Sequence, residues 1–359
     1  MTVCILGNSL TALTLAKALV NCKINVEILY NNQNYKISDT RTIGIAKNNI
    51  DFFNDKIINI KKFIWNLKKI EIFSENLKKE NLINFEKSGD QLFSIVKNYK
   101  LYNLLKKTLS ENKFFKSKFV KVINLSSLKN YELIINCDPS NLISKQYFSK
   151  KIEKNYNSYA YTTLITHEKI KNDTALQFFT KKGPLAFLPI SNRETSIVYS
   201  VHDTLDRKKD NIKEMIKINN FKYKIIEIKN IDKFELKSHD LRSYFHNNIL
   251  AFGDLLHRIH PLAGQGFNMT IRDIKILTKI ISEKIELGLP LDSLINNEFE
   301  KIVKHKNFMF TNGIDFVNEF FNVERKVKNS ILSNSVQLVG NSHLIKKVFT
   351  KIADKGILF

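Results

Sequence analysis

The first thirty residues constrain the fold of this chain more than any other stretch. Val3-Cys4-Ile5-Leu6 is a short apolar run of the kind found in a parallel strand buried on both faces. Gly7-Asn8-Ser9 then turns the chain, and Leu10, Leu13, Ala16, Leu19 and Val20 fall at helical spacing. A second strand-like run, Asn25–Tyr30, closes the pattern. Strand, turn, helix and strand at this spacing predict a right-handed βαβ unit, because a crossover to a parallel strand packs back onto its sheet with that hand. Gly7, Ser9 and Ala12 occupy the three places where a dinucleotide-binding turn wants glycine, and Tyr30 stands where an acidic ribose partner is expected. Taken alone, the unit reads either as a dinucleotide site or as an ordinary α/β connection.

A chain of 359 residues is long enough for one large domain or two intertwined ones. Its net charge of +22 raises the question of a polyanionic partner. The lysines are scattered in pairs such as Lys61-Lys62, Lys68-Lys69 and Lys106-Lys107 among abundant Asn and Ile, which fits solvated faces. With no stacking-aromatic signature beside them, no specific nucleic acid is expected, and at most peripheral contact with an anionic membrane. Cys4, Cys22 and Cys137 form no CxxC or Cys/His cluster, so neither a disulfide framework nor a metal site is indicated. The apolar start lacks a basic n-region and is broken by Gly7-Asn8-Ser9. No apolar run is long enough to span a bilayer. The expectation is a soluble cytoplasmic protein, at the periphery of the inner membrane if it meets lipid.

Further along, helical patterns fit residues 57–65 and 99–109, and 133–136 reads as a buried strand. Strand-like pieces dominate 159–244, including "PLAFLPI" and "TSIVYSV" around a polar turn at 191–194. After Asn268 the pattern is helical almost to the end. Three of the eleven glycines, one of the five prolines and two of the eight histidines fall within "FGDLLHRIHPLAGQGFN", residues 252–268. There a strand at 249–252 ends in Gly253-Asp254, and a loop with Pro261, Gly264 and Gly266 feeds a long helix. Such a loop makes an anion- or carbonyl-binding site, since the first N–H groups of a helix lack internal acceptors.

"GDLLHRIHPLAGQGFNMTIRD" resembles the second flavin motif of the FAD-dependent aromatic hydroxylases, specifically the ubiquinone-biosynthesis branch, which typically reads GDAAHxIHPLAGQGLNLGLxD. The resemblance implies that Asp254 bonds the ribityl chain of FAD. It places Pro261, Gly264, Gln265, Gly266, Phe267 and Asn268 beside the isoalloxazine, where helix N–H groups favour the negative charge of reduced flavin. "DTRTIGIA" is similar to the family's DxRxxALS stretch, which puts Arg41 near the flavin; a surface loop arginine is the plain alternative. "SIVKNYKLYNLL" resembles the segment entering a helix that contacts FAD, and "GPLAFLPISNRETSIVYS" the GPxAxLPL hairpin of the substrate sheet. Phe316, Phe320, Phe321 and "VQLVGNSHLIKKVFTKIADKGI" follow the family's helical end.

The departures lie on the phosphate side. "NCDPSNLISK" stands where the family has GADGxxSxxR: Asp138 and Lys145 are kept, but Pro139 replaces glycine. Asp138-Pro139 is equally an ordinary helix N-cap with proline at the first helical position. Gly7, Ser9, Leu10, Thr11, Ala12 and Asp138 are the implied nucleotide-side contacts, with Ser9 and Ala12 crowding the pyrophosphate. The stretch from Lys118 to Asp138 is shorter than usual, suggesting a trimmed β-meander. His257 and His260 read either as groups satisfying local backbone or as a proton relay, and no residue is assigned as catalytic.

The fold implied is α/β, of the para-hydroxybenzoate hydroxylase type. A Rossmann-like FAD domain (1–56, 92–150 and 245–290) intertwines with a substrate domain on a mostly antiparallel sheet (57–91 and 151–244), followed by C-terminal helices (291–359). The activity implied is hydroxylation of a polyprenylated phenol or quinol in ubiquinone biosynthesis, by FAD, NAD(P)H as reductant and O2 through a flavin C4a-hydroperoxide. Other ubiquinone-synthesis proteins are the expected partners. A flavin-binding or flavin-less scaffold of a quinone-synthesis assembly is the alternative.

Overall fold

The computed structural model describes residues 2–32, 37–75, 81–86, 91–202, 212–260 and 264–327. The chain opens with β1 (Thr2–Leu6), α1 (Leu10–Asn21) and β2 (Asn25–Tyr30). Next come β3 (Thr42–Ala46), α2 (Lys47–Phe52), β4 (Ile64–Leu67), β5 (Lys69–Ser74), β6 (Asn81–Glu86) and β7 (Phe93–Lys97). A helix α3 (Asn98–Ser110), strands β8 (Phe115–Phe119) and β9 (Ile134–Asn136) and helix α4 (Leu142–Tyr147) follow. The middle of the chain is β10 (Lys151–His167), β11 (Thr174–Thr180), β12 (Gly183–Pro189), β13 (Glu194–His202), α5 (Ile212–Asn219), β14 (Ile225–Ile228) and β15 (Asp232–Leu241). It closes with β16 (Phe245–His246), β17 (Ile249–Ala251), β18 (His257–Arg258), α6 (Gly266–Glu286) and α7 (Ser293–Val327). Residues 328–359, and with them most of the expected helical end, lie outside the described residues.

Three sheets organise these elements. The first runs β16-β17-β9-β1-β2-β8, with β1, β2, β8, β9 and β17 mutually parallel. The predicted βαβ unit is there: β1 pairs β2 in register from Thr2–Asn25 to Leu6–Leu29. Helix α1 forms because Ser9 caps it, its Oγ accepting from Ala12 N, and because its apolar residues face the sheet. β1 has β2 on one side and β9 on the other, so the strand order reverses direction at β1. In open α/β sheets ligands bind beyond the C-terminal ends of the strands at such a point. The second sheet, β18-β15-β10-β13-β12-β11-β5-β6 with β14 on β10, is antiparallel except where β11 meets β5. β5 and β6 thus join it from far upstream in sequence. A third sheet, β3-β7-β4, completes the architecture. Among the described residues no strand lies between β8 and β9, in keeping with the expected trimmed connection.

Two local expectations were wrong. Residues 57–65 are not a helix: helical backbone ends at Ile57, and Ile64–Leu67 is β4. Short apolar spacing fits both periods, and pairing decided, since Trp65 lies opposite Ile95 and donates Nε1–H to the Asn172 carbonyl at 2.6 Å. Nor does Asp138 cap a helix: α4 starts at Leu142, capped by Asn141, whose side chain accepts from Ser144 N. Asp138 Oδ1 instead accepts from Ser140 N at 2.8 Å and Ser140 Oγ at 2.6 Å, a local turn that uses the carboxylate up before a helix can begin.

Candidate active site

The ends of β1, β9 and β17 bring separate parts of the sequence together. Gly7 follows β1 with φ of +97°, and a Cβ there would lie 2.9 Å from Asp138 Cβ, so only glycine lets the two turns meet. Gly253 follows β17 with φ of +62°, and a Cβ there would sit 2.5 Å from Thr11 Cγ2. The start of α1, the Asp138 turn and the Gly253-Asp254 turn therefore form one cluster. Leu10, Thr11 and Ala12 are buried, so this end of α1 can offer a ligand only backbone. Ser9 does not simply crowd the turn: its Oγ consumes the Ala12 N–H at 3.3 Å, one of the donors a pyrophosphate would use. Tyr30 packs edge-on against Phe119, and Glu27, the acid on β2, is held by the Tyr131 hydroxyl at 2.6 Å.

Asp254 is exposed, and its carboxylate makes no hydrogen bond or ion pair among the described residues. From there β18 leads toward the loop and α6, whose first turn has no side-chain cap. The N–H groups of Gly266, Phe267 and Asn268 begin that helix without intrahelical acceptors. Among the described residues a Cβ on Gly266 would meet only Ile259 Cγ1, at 4.0 Å, so no described side chain crowds the backbone there. Gly264 comes close to Gly44 of β3. Asn268 fixes that approach: its Oδ1 accepts from Ala46 N at 2.8 Å and Asn49 Nδ2 at 2.9 Å, and its Nδ2 donates to the Gly44 carbonyl at 2.9 Å. Gln265 is buried with Arg272 near its Oε1, and Phe267 packs toward Phe53. Pro261 lies outside the described residues.

Arg41 is exposed, with its guanidinium 4.6 Å over the Phe234 ring of β15. Its carbonyl accepts from Asn98 N at 3.0 Å, and the Asn98 Oδ1 is buried without a hydrogen-bond partner. Asp232 next to Arg41 is held below the usual carboxylate range by hydrogen bonds from Ser38 and Thr40, then by the Arg41 charge.

The two histidines do something the sequence did not suggest. His257 does not satisfy local backbone; its Nε2 is 2.6 Å from Asp273 Oδ2 on α6, with both side chains almost fully buried. Burial would push the His257 imidazole down, but the charge and hydrogen bond of Asp273, with Asp240 and Asp254 behind, hold it above the usual histidine value. Asp240 is pushed up by burial and takes the Tyr244 hydroxyl at 3.1 Å. The group ties β15, β18, α6 and, through Asn307, α7 into one unit behind the Asp254 turn. His260 is pushed down to about 4 by burial, helped by the charges of His202 and Lys154, and stands edge-on to Tyr156 at 4.7 Å. Asn136, Asn141 and Ser144 form a second buried polar knot, under the Asp138 turn. Its only signal in sequence is the run of small polar residues after β9.

An open cleft of about 370 Å³ lies elsewhere, lined by Phe245, Asn297, Glu300, Lys301, Lys304 and His305. It touches none of the converging strand ends. Among the described residues no group of His, Cys, Asp or Glu could hold a metal ion, and no helix is long and apolar enough to cross a membrane.

Residues 157–287 match the family described as FAD binding domain. The chain is 23% identical over 215 residues to the ubiquinone biosynthesis monooxygenase COQ6, mitochondrial, of Caenorhabditis elegans, covering 47% of this chain and 48% of that protein. It is 26% identical over 167 residues to 3-demethoxyubiquinol 3-hydroxylase of Escherichia coli (strain K12), covering 44% and 43%. The match thus spans about half the length of these curated relatives or less. In fold it is similar to p-nitrophenol 4-monooxygenase PnpA from Pseudomonas putida DLL-E4, with a TM-score of 0.78, 11% identity and 98% of each chain covered.

Proposed function

We propose that this chain, a divergent member of the FAD-dependent aromatic monooxygenases, binds FAD at the converging strand ends and hydroxylates the ring of a polyprenylated phenol or quinol in ubiquinone biosynthesis. The observation that carries the reading is the meeting of Gly7, Asp138 and Gly253-Asp254 at the point where the strand order reverses, with the uncapped start of α6 following in the chain and approaching β3 through Gly264 and Gly44. The residues fit the cofactor. Among the described residues Asp254 presents a carboxylate with no hydrogen bond or ion pair, Asn98 a buried carbonyl oxygen with none, and Gly266 a backbone that no side chain crowds. FAD, reduced by a nicotinamide nucleotide, supplies the activation of O2 for ring hydroxylation.

The chain's own residues bind and orient. Asp254 accepts from the ribityl hydroxyls. The N–H groups of Gly266, Phe267 and Asn268 would hold the flavin's carbonyl side, since a helix N-terminus favours negative charge by about 0.3–1 kcal/mol. Arg41 and Asn98, joined by the Asn98 N–H to the Arg41 carbonyl, would contribute from the start of β3 and α3, and the Asn268 side chain holds the start of α6 against β3. Gly7, Leu10, Thr11 and Asp138 take the phosphate side through backbone. In this reading 1–56, 92–150 and 245–290 hold the cofactor, and 57–91 with 151–244 hold the substrate. Prenylated substrate and O2 are the small-molecule partners, with other ubiquinone-synthesis proteins beside them at a membrane surface.

The capped Ala12 N–H and the missing ribose carboxylate at Tyr30 favour a second reading, a scaffold that has lost tight flavin binding. Titration with FAD separates the two. The hydroxylase reading expects a flavin spectrum, bleaching by NADPH, and one oxygen atom added to a farnesylphenol by mass spectrometry. Asp254→Ala should weaken FAD by about 0.5–3 kcal/mol, one hydrogen bond or its orphaned partner, while leaving the unfolding midpoint unchanged. Protein that gains no flavin spectrum in excess FAD is a scaffold.

A further inference from the structure

The nine-stranded sheet has two unlike faces. Tyr161, Phe178, Phe187, Ile197 and Tyr199 fill one and pack with Met215 and Ile216 of α5. On the other stand Ser158, Ala160 and Thr162 of β10, directly opposite His202, Ser200 and Val198 of β13. This second face meets the elements around the Gly44–Gly264 approach. Asp232 accepts from Thr40 Oγ1 at 2.6 Å, Thr42 Oγ1 donates to Ser196 Oγ at 2.8 Å, and His260 abuts Tyr156.

Thr162 sits in the middle of this face, between Val198 on one neighbouring strand and Asp232 on the other. It is 6% exposed, and its Oγ1 is buried with no hydrogen-bond partner. Threonine hydroxyls around it are paired: Thr40 with Asp232 and Thr42 with Ser196. A buried hydroxyl that neither donates nor accepts runs against how polar groups are placed in folded proteins. Valine would fill the same volume without that cost. The position is explained if a ligand supplies the missing partner.

We propose that Thr162 is a substrate-binding residue whose hydroxyl pairs with the ring hydroxyl of a neutral phenol, seated between this face of the sheet and the Gly44–Gly264 approach. The proposal rests on the hydroxylase reading and deepens it. Ala160 and Ser200 beside it are small and buried, so a flat ring reaches the hydroxyl by displacing what packs over this face, and Val198 offers it an apolar contact. The hydroxyl can accept the phenol's proton or donate to its oxygen. Asp232, one strand away, has its carboxylate engaged by Ser38 and Thr40 and offset by the Arg41 charge, which leaves the Thr162 hydroxyl as the unpaired group among the described residues on this face.

The test compares 2-farnesylphenol with its methyl ether by equilibrium dialysis against FAD-loaded protein. Wild type should prefer the phenol by roughly ten-fold to a hundred-fold, the worth of one buried hydrogen bond with its desolvation. Thr162→Val should bind the two compounds alike and unfold at the same or higher urea concentration. Thr162→Ser should keep the preference, and Thr162→Ala serves the same comparison if the valine variant fails to fold. A Thr162→Val protein that keeps the preference overturns the assignment, and continued hydroxylation of the phenol would leave the hydroxylase reading standing. Wild type that takes up FAD yet binds neither compound overturns both.

Discussion

Replacing His257 with glutamine should destabilise the protein by about 3–5 kcal/mol, the range for breaking a buried charge pair by removing one partner. The geometry sets that magnitude. The pair is 2.6 Å apart with side chains 2% and 1% exposed. Asn307 Nδ2 also reaches toward Asp273, but at 3.4 and 3.5 Å, too far to take over the imidazole's role. Glutamine keeps a donor and loses the positive charge that balances Asp273, Asp240 and Asp254. Against a total of about 5–15 kcal/mol for a folded domain the loss is large. Removing both partners, His257→Leu with Asp273→Leu, should cost less than the two single changes added, because nothing is then left buried and unpaired. The sign with pH follows from the raised imidazole. Its stabilisation is complete below the unfolded value of about 6.5 and is lost as pH rises through the folded value. Asp240 is also raised and acts in the same sense, its contribution complete below about 3.9 and lost as pH rises through its folded value, so the difference between wild type and His257→Gln at each pH isolates the imidazole's share. Urea unfolding followed by the emission of Trp65, the one tryptophan, at about pH 5.5 and about pH 8.5 reads both effects. A His257→Gln protein within about 1 kcal/mol of wild type at both pH values would refute the reasoning, as would a double variant as costly as the two singles summed.

His260 should act in the opposite direction. Its imidazole is pushed down to about 4, so its contribution is complete above about 6.5 and lost as pH falls toward that value, about 3 kcal/mol in all. His260→Leu should therefore flatten the acid side of a plot of melting temperature against pH, and an unchanged acid limb would count against it. Asn268→Leu should strand the buried Ala46 N–H and Gly44 carbonyl, at about 1–3 kcal/mol for each group left unpaired. Hydrogen exchange at Ala46 is the direct readout, and protection equal to wild type would mean the loop is held by something else.

Legibility in the sequence followed the range of the interactions. The βαβ opening was legible because strand, turn and helix there are fixed by neighbours within thirty residues. The 252–268 stretch was legible because its glycines and proline are rare in this chain. Residues 57–65 misled because a short apolar run carries no period of its own, and β7, some thirty residues later, decided the matter. Asp138-Pro139 misled for a different reason: the motif is a good cap, but Ser140 competes for the carboxylate at 2.6 and 2.8 Å. The His257–Asp273 pair spans sixteen residues and two elements, and Asn268 reaches back more than two hundred residues to Ala46. No local pattern announces either. What sequence offered was the residue types, and the fold supplied the partners.

The departures from the family motif also acquire a physical meaning once the partners are known. Ser9 costs the nucleotide side a donor but gives α1 an N-cap, worth about 0.5–2 kcal/mol of stability. Glu27 is paired with Tyr131 and cannot stand in for the missing ribose carboxylate. Each change trades a phosphate or ribose contact for stability of the sheet and its helix. At the positions proposed for the ring side no such trade stands: Gly264 and Gly266 are glycine, Asn268 clamps β3, and His257 anchors the strand that follows Asp254. A protein relieved of flavin binding would be free to carry a better helix former than glycine at Gly266, where among the described residues a Cβ meets nothing closer than 4.0 Å. That glycine stands there, with a buried Thr162 hydroxyl unpartnered on the sheet face that meets β3, is the physical argument for the ring site proposed above.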